Sequence, residues 1–521
     1  MSNMVAVVVF APLAGAVAVL LCGAGRPRAA RRMAIAFAVA TLLAAVGVAV
    51  TFAPQSAQET TAASSASFIT SPAWQVDGIN VWLFLLSALL THSAILITPG
   101  GATSRNDLFF ALIMLLTAGL MGLFAAGNLV WLFVGWEVSR LALYFLIGGW
   151  GGTDRRQAAI KFFLFTLVGS GLVFVGCGLL VLSHYWMSGS SELTLNISRL
   201  IEELPQLAAA NSENDRYWAG VRPWVFAAIG LGFAIHVPLF PLHTWLQDAA
   251  VESPTAGMLL LCGVWLKIGV YGWLRLLLPL FPELCADFAG YFLYPAAIGA
   301  VYGVMLGLVQ DDMKRMAANL TVSYASLSVL GLFSLTSVGI EGGLLSLCSH
   351  GLSMGVLVCV TGALFDRYRT REAEAYSGLA GRFPRLTAVT FIGVASLIAL
   401  PATSGFVATV LVMLGIGQVH PGFVITGLAA LLLTVWCFAR VMQRVFWGTL
   451  REPVINHPSW KPPRQTEDAP SGDLNLREVA AVVPLILAIL CLGLAPQVFI
   501  GHTETSVARI IVVPDADEAA R

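Results

Sequence analysis

Residues 223–275 read PWVFAAIGLGFAIHVPLFPLHTWLQDAAVESPTAGMLLLCGVWLKIGVYGWLR. An apolar helical run ends at a break between Pro238 and Pro241, a polar segment follows, and a second apolar run carries Lys267 near its middle. Proline removes a helical hydrogen bond and clashes with the preceding turn, so the first run is predicted to stop at the break. A lysine at the centre of a membrane span costs roughly 2.5–3.5 kcal/mol on insertion scales. That cost, beside irregular backbone that must line a cavity, is the pattern of a proton or ion pathway. The blander reading makes Lys267 a partner for a carbonyl or a helix C-terminus.

The rest of the chain reads as housing for such a path. Of 521 residues, 58% are hydrophobic and 11% charged, less than half the charge of a soluble domain, about 25%. With a mean hydropathy of +0.82, this composition predicts an all-α polytopic membrane protein whose surroundings are a lipid bilayer. A net charge of zero points to no nucleic-acid partner. Eight cysteines lie almost wholly in apolar runs, without a CxxC pair, so they read as small buried hydrophobes rather than metal ligands. There is no phosphate loop, HExxH or GxSxG. No soluble stretch is long enough to hold a flavin or nucleotide, so the chain is expected to bind no cofactor. The first apolar run, Val5–Cys22, has no basic segment before it and reads as a retained helix rather than a cleaved signal.

A span needs about 20 apolar residues, which predicts fourteen: 4–24, 31–53, 77–98, 107–126, 128–149, 158–186, 220–240, 256–278, 289–310, 315–336, 341–364, 386–416, 421–446 and 478–500. With the N-terminus outside, the inside loops carry nineteen Lys and Arg against five outside. That bias predicts both termini on the outer, periplasmic face. Residues 54–76 read as an outer loop and the proline-rich 450–477 as an extended inner linker. A second proline break occurs at Leu400–Gly405. Paired interruptions predict two inverted repeats. The divisions expected are 1–106 (N-terminal helices), 107–278 (first half), 279–447 (second half) and 448–521 (linker, last helix and tail).

Several ionisable residues fall at membrane depth. Glu137 reads as a buried proton acceptor or one partner of a structural pair, and Arg140, three residues on, shares its helix face. His236 and His350 read as proton relays or hydrogen-bonded core histidines, and His92 more weakly so. His243, Asp248 and Glu252 line an inner entrance or a solvated loop. Lys314, Arg315, Arg275 and Arg440 read as snorkelling anchors.

The stretches WEVSRLALYFLIGGWGG (136–152), AAIKFFLFTLVGS (158–170), PLFPLHTWLQDAAVESPTAGMLLLCGVWLKIGVYGWLRLLLPLFP (238–282), LVQDDMKRMAANLTVSYASLSVLG (308–331) and RVFWG (444–448) resemble the antiporter-like subunits of respiratory complex I. The likeness covers roughly residues 75–450 and is nearest the M-type branch. It implies fourteen helices in two inverted repeats, and proton translocation coupled to electron transfer in partner subunits of the cell inner membrane. Those partners would hold the NADH, flavin, iron–sulfur clusters and quinone. Carried over by motif, Glu137 matches the family's glutamate, Lys267 its central lysine and His350 the histidine of the eleventh span, while Lys314 falls in a loop motif. In the path this implies, Glu137 modulates position 236, Lys267 carries the proton across the midplane and His350 passes it to the second half.

The chain departs from the family at several of these positions. His236 stands where a lysine is usual, Tyr324 where the M-type branch reads Ser-His, Thr409 where a Glu or Lys is usual, and Arg140 where the family is apolar. Residues 386–419 hold no ionisable side chain. Arg140, Asp248, Tyr324, Lys314 and Thr409 are therefore expected in supporting places, with a neighbouring subunit supplying what Thr409 cannot. Two alternatives remain: a cation/proton antiporter or inorganic-carbon uptake subunit, and a structural paralogue that no longer conducts.

Overall fold

The computed structural model describes residues 2–52, 74–99, 105–190, 192–453 and 473–510. Most of the expected outer loop 54–76 and inner linker 450–477, with Lys461, Arg464 and Arg521, lies outside them. The principal helices are α1 (Ser2–Gly23), α2 (Pro27–Thr51), α3 (Gly78–Ile97), α4 (Asn106–Phe124), α5 (Leu129–Trp150), α6 (Arg155–Ser188), α7 (Ile197–Ala209), α8 (Ser212–His236) and α9 (Thr244–Glu252). They continue as α10 (Thr255–Leu280), α11 (Gly290–Leu308), α12 (Met313–Leu332), α13 (Ser337–Tyr368), α14 (Pro384–Leu397), α15 (Ser404–Val419), α16 (Gly422–Phe446), α17 (Leu476–Leu494) and α18 (Gln497–Ile510).

Among the described residues, twelve helices are long and apolar enough to cross a membrane. The two other expected spans have physical reasons to differ. α12 carries Asn319, Thr321, Ser323, Ser326 and Ser328, yet every residue from Met316 to Leu332 is buried by its neighbours. α14 and α15 are the two pieces of one broken span. The starts are written locally. Asp77 and Asn80 form a capping box on α3, Asn475 and Glu478 another on α17, and Asn128, Asn211 and Thr336 each accept from a backbone N–H one turn into their helices.

The helices repeat. In the first half, helices of 19, 22 and 34 residues are followed by the broken pair α8/α9 and the 26-residue α10. In the second, helices of 19, 20 and 32 residues are followed by the broken pair α14/α15 and the 25-residue α16. Five crossings is an odd number, so the second set begins on the opposite membrane face and the repeat is inverted. α10 and α13 are wholly buried in their apolar windows, whereas α1, α2, α16 and α17 bury well under half of theirs. The core therefore lies where α10, α12 and α13 meet, and the outer helices carry exposed apolar side chains.

Besides α9, which follows the first break, two helices lie outside the predicted spans. α7 is too short to cross, and its Ile197, Leu200, Leu204 and Ala208 form one buried stripe. His184 at the end of α6 meets Glu203 of α7 at 2.6 Å. Burial raises the Glu203 carboxyl, but hydrogen bonds from Arg199 and His184 outweigh that and hold it below the ordinary carboxylate range. The last span ends at Leu494 rather than 500, and α18 turns back to pack on α3 and α13. That contact requires Gly78, because a Cβ there would sit 1.8 Å from the His502 carbonyl oxygen.

Candidate functional site

The buried polar groups form an axis through the core. At its centre the Lys267 ammonium is 2.9 Å from His350 Nδ1 and 3.4 Å from the Cys262 carbonyl. Both side chains are buried, and they come from α10 and α13, one helix of each half. An ammonium donates to Nδ1, which places the imidazole's own proton on Nε2. α10 can offer the Cys262 carbonyl because residues 261–265 form a π-helical turn. Such turns widen the helical ladder and concentrate at functional positions.

From His350 the axis continues into the second half. The Tyr324 ring stacks on His350 with centroids 5.1 Å apart, and its hydroxyl donates to the Leu397 carbonyl at the end of α14. Here the second break is lined by hydroxyls. Ser349 lies 2.8 Å from Ser404, Ser353 donates to Ser396 at 2.7 Å, and Ser396 lies 3.4 Å from Ser404. Thr409, expected at this break, is half-buried further along α15 and takes no part in the serine cluster. These serines were not singled out in the sequence. Their signal was present: Ser349 and Ser353 are one turn apart beside His350, and Ser396 and Ser404 flank the break.

The break is held by backbone in the left-handed region at Ala399 (φ 53°) and Ala402 (φ 69°). A Cβ on Gly405 would meet the Ser396 carbonyl oxygen at 1.8 Å. Gly405→Ala is therefore expected to force the two half-helices apart and to cost about 1–3 kcal/mol. Thermal inactivation of the solubilised protein checks this, and an unchanged midpoint would contradict the packing at the break.

In the first half, Arg140 is buried, pairs with Glu137, donates to Ser170 at 2.9 Å and lies over the Phe163 ring. Glu137 is not the fully buried carboxylate expected, because its side chain is 36% exposed. His236 is buried, with Nδ1 on the Gly232 carbonyl at 3.0 Å and Nε2 without a partner among the described residues. Its ring sits between Trp136 (4.6 Å) and Trp265 (5.5 Å). Asp248 pairs with Lys161 of α6 at 2.6 Å, and Glu252 is buried beside the α5–α6 connection, where it accepts from the Asp154 N–H.

Three expected anchors are corrected. Lys314 does not snorkel: its buried ammonium donates to the Ser253 carbonyl at 2.7 Å. Arg275 pairs with Asp77 at 2.5 Å, both only 13% exposed, because α10 ends against the start of α3. Arg440 donates to the Leu308 carbonyl and so caps α11. His92 is half-buried in α3, and its Nδ1 has no partner among the described residues.

Residues 126–434 match the family model described as NADH:quinone oxidoreductase/Mrp antiporter, transmembrane. The chain belongs to this family. The NADH-quinone oxidoreductase subunit M of Rhodobacter capsulatus is 30% identical over 99% of this chain and 98% of its own length. The subunit M of Rickettsia prowazekii is 32% identical over 84% of this chain and 83% of its own. A chain of respiratory complex I from Thermus thermophilus, solved with bound NADH, superposes with a TM-score of 0.80 at 27% identity, covering 97% of this chain and 99% of that one. A chain of the Mrp complex from Dietzia sp. superposes with a TM-score of 0.78 at 21% identity, which shows a shared fold. The resemblance carried by the five motifs is thus borne out, as is the multi-pass architecture.

Proposed function

We propose that this chain is a membrane subunit of an NADH–quinone oxidoreductase of the complex I type, translocating protons across the inner membrane while partner subunits transfer electrons. The observation that carries the reading is the buried Lys267–His350 contact, which joins the two halves at the core. A structural amine needs only a carbonyl. This one also meets an imidazole, which can both accept and donate a proton through its two ring nitrogens. Similarity to M subunits over nearly the whole chain supports the assignment to that complex.

In this reading Lys267 takes up a proton and passes it to His350, whose neighbours Tyr324 and the serine cluster lead to the second break. The Glu137–Arg140 pair sets the field in the first half. The residues divide as 1–106, 107–278, 279–447 and 448–521, and both termini face outside. NADH, flavin, iron–sulfur clusters and quinone belong to the partners. A non-conducting role is the second reading, favoured by the paired Glu137–Arg140 and by a second break without ionisable groups.

An affinity tag on this chain tests the assignment. Purification from native membranes is expected to bring down subunits that oxidise NADH and reduce quinone. Recovery with small antiporter subunits and no NADH oxidation would replace the reading with the antiporter one.

A further inference from the structure

A layer of aromatic rings surrounds His236 on the side of α10, the helix that carries Lys267. Trp136 of α5 lies edge-on to the His236 ring with centroids 4.6 Å apart, and stacks on Phe233 of α8 at 5.3 Å. Trp265 of α10, two residues before Lys267, lies 5.5 Å from His236. It also meets Phe162 of α6 at 5.2 Å and Trp245 of α9 at 6.0 Å. Trp136, Phe162, Phe233, Trp245 and Trp265 are each no more than 1% exposed.

The hydrogen bonds of this layer end on backbone carbonyls. Trp245 Nε1 donates to the Ile235 carbonyl at 3.1 Å. Trp265 Nε1 donates to Ser139 Oγ at 3.2 Å, and Ser139 donates to the Trp136 carbonyl at 2.7 Å. Trp136 Nε1 has no partner among the described residues. His236 Nδ1 faces the Gly232 carbonyl, which only accepts, so Nδ1 is the donor there. A relay needs groups that accept and donate in the same step. An indole N–H donates and never accepts, so none of the three tryptophans can take a proton from His236. The Lys267–His350 contact is of the opposite kind, an amine 2.9 Å from a ring nitrogen.

We propose that this aromatic layer is a proton seal, which closes Lys267 off from His236 and the first break so that Lys267 discharges only toward His350. The idea rests on the proton-translocating reading above. Apolar constrictions hold back ions by staying dry. Trp136 is the ring to remove. The space left beside it would be bordered by the unpartnered His236 Nε2, and a polar void of that size takes up water where an apolar one stays empty.

The test uses the assembled complex in inside-out membrane vesicles. Without NADH, the decay of an imposed pH gradient reports passive leak, and NADH oxidation with co-purification of the partner subunits reports assembly. Trp136→Leu is expected to speed the decay several-fold, and Trp136→Phe, which keeps a ring, to decay like wild type. Adding Lys267→Met to Trp136→Leu is expected to abolish the extra leak, because a route through the opened layer ends at that amine. Trp265→Leu opens the same layer from α10, with the same outcome expected, and serves where Trp136→Leu does not assemble. If the opened variants hold the gradient like wild type while Lys267→Met loses NADH-driven pumping, the seal is overturned and the translocating reading stands. Extra leak that persists in the double variant also overturns the seal, since the protons then cross without Lys267. If Lys267→Met pumps normally, the reading itself fails and the seal falls with it.

Discussion

Lys267→Met is expected to slow proton transfer through this chain by about 10²-fold or more, the usual contribution of a positioned acid–base group. Methionine fills the same apolar space between α10 and α13, so assembly should survive. The lost quantity is the proton that the amine exchanges with His350 across 2.9 Å. Lys267→Arg separates chemistry from scaffolding. A guanidinium can still donate to His350 and to the Cys262 carbonyl, but it does not deprotonate in proteins. Pumping restored by arginine would make Lys267 a structural donor, and a loss equal to that of Lys267→Met would support a proton carrier. The measurement is the pH gradient formed by vesicles at matched NADH oxidation. Normal gradients in Lys267→Met vesicles with intact assembly would remove the conducting role.

Arg367→Met is expected to produce the largest loss of stability. Arg367, near the end of α13, donates to Glu478 of α17 at 2.8 and 2.7 Å and to the Asp473 carbonyl, and both charged side chains are almost completely buried. Removing the guanidinium leaves Glu478 buried with its strongest partner gone, a change that costs about 3–5 kcal/mol. Much of that cost belongs to the stranded charge rather than to the pair. The double variant Arg367→Met, Glu478→Leu should therefore recover most of it. Thermal inactivation of the solubilised complex reads both. A double variant as unstable as the single one would show that the pair itself, rather than the isolated carboxylate, carries the stability.

Much of the fold was legible because membrane helices must satisfy their backbone internally and are long, so a run of apolar residues fixes them. Both breaks were legible for the same reason, since Pro238, Pro241 and Pro401 interrupt such runs. α7 and α18 were not found, because a helix that packs on the ends of others needs only a short stripe such as Ile197, Leu200 and Leu204. Lys267 and His350 stood out singly, and their contact depends on how α10 lies against α13. Lys314 and Arg275 were misread for a related reason. A cation near a span end looks the same in sequence whether it reaches water or another helix, and here the neighbours Ser253 and Asp77 lie 61 and 198 residues away. The serine cluster was passed over because single hydroxyls are common in spans; only the folded chain brings Ser349, Ser353, Ser396 and Ser404 to one place.

That cluster decides what kind of exit the second half offers. Serine hydroxyls stay neutral at physiological pH, so they pass a proton without ever storing one. Among the described residues, Lys267 is the only lysine buried at the centre of the core; Lys161 is partly exposed at its Asp248 pair and Lys314 lies at the start of α12. Beyond the Lys267–His350 contact the exit is neutral, so under the proposed reading a proton that leaves His350 crosses the second break without a further charged resting place.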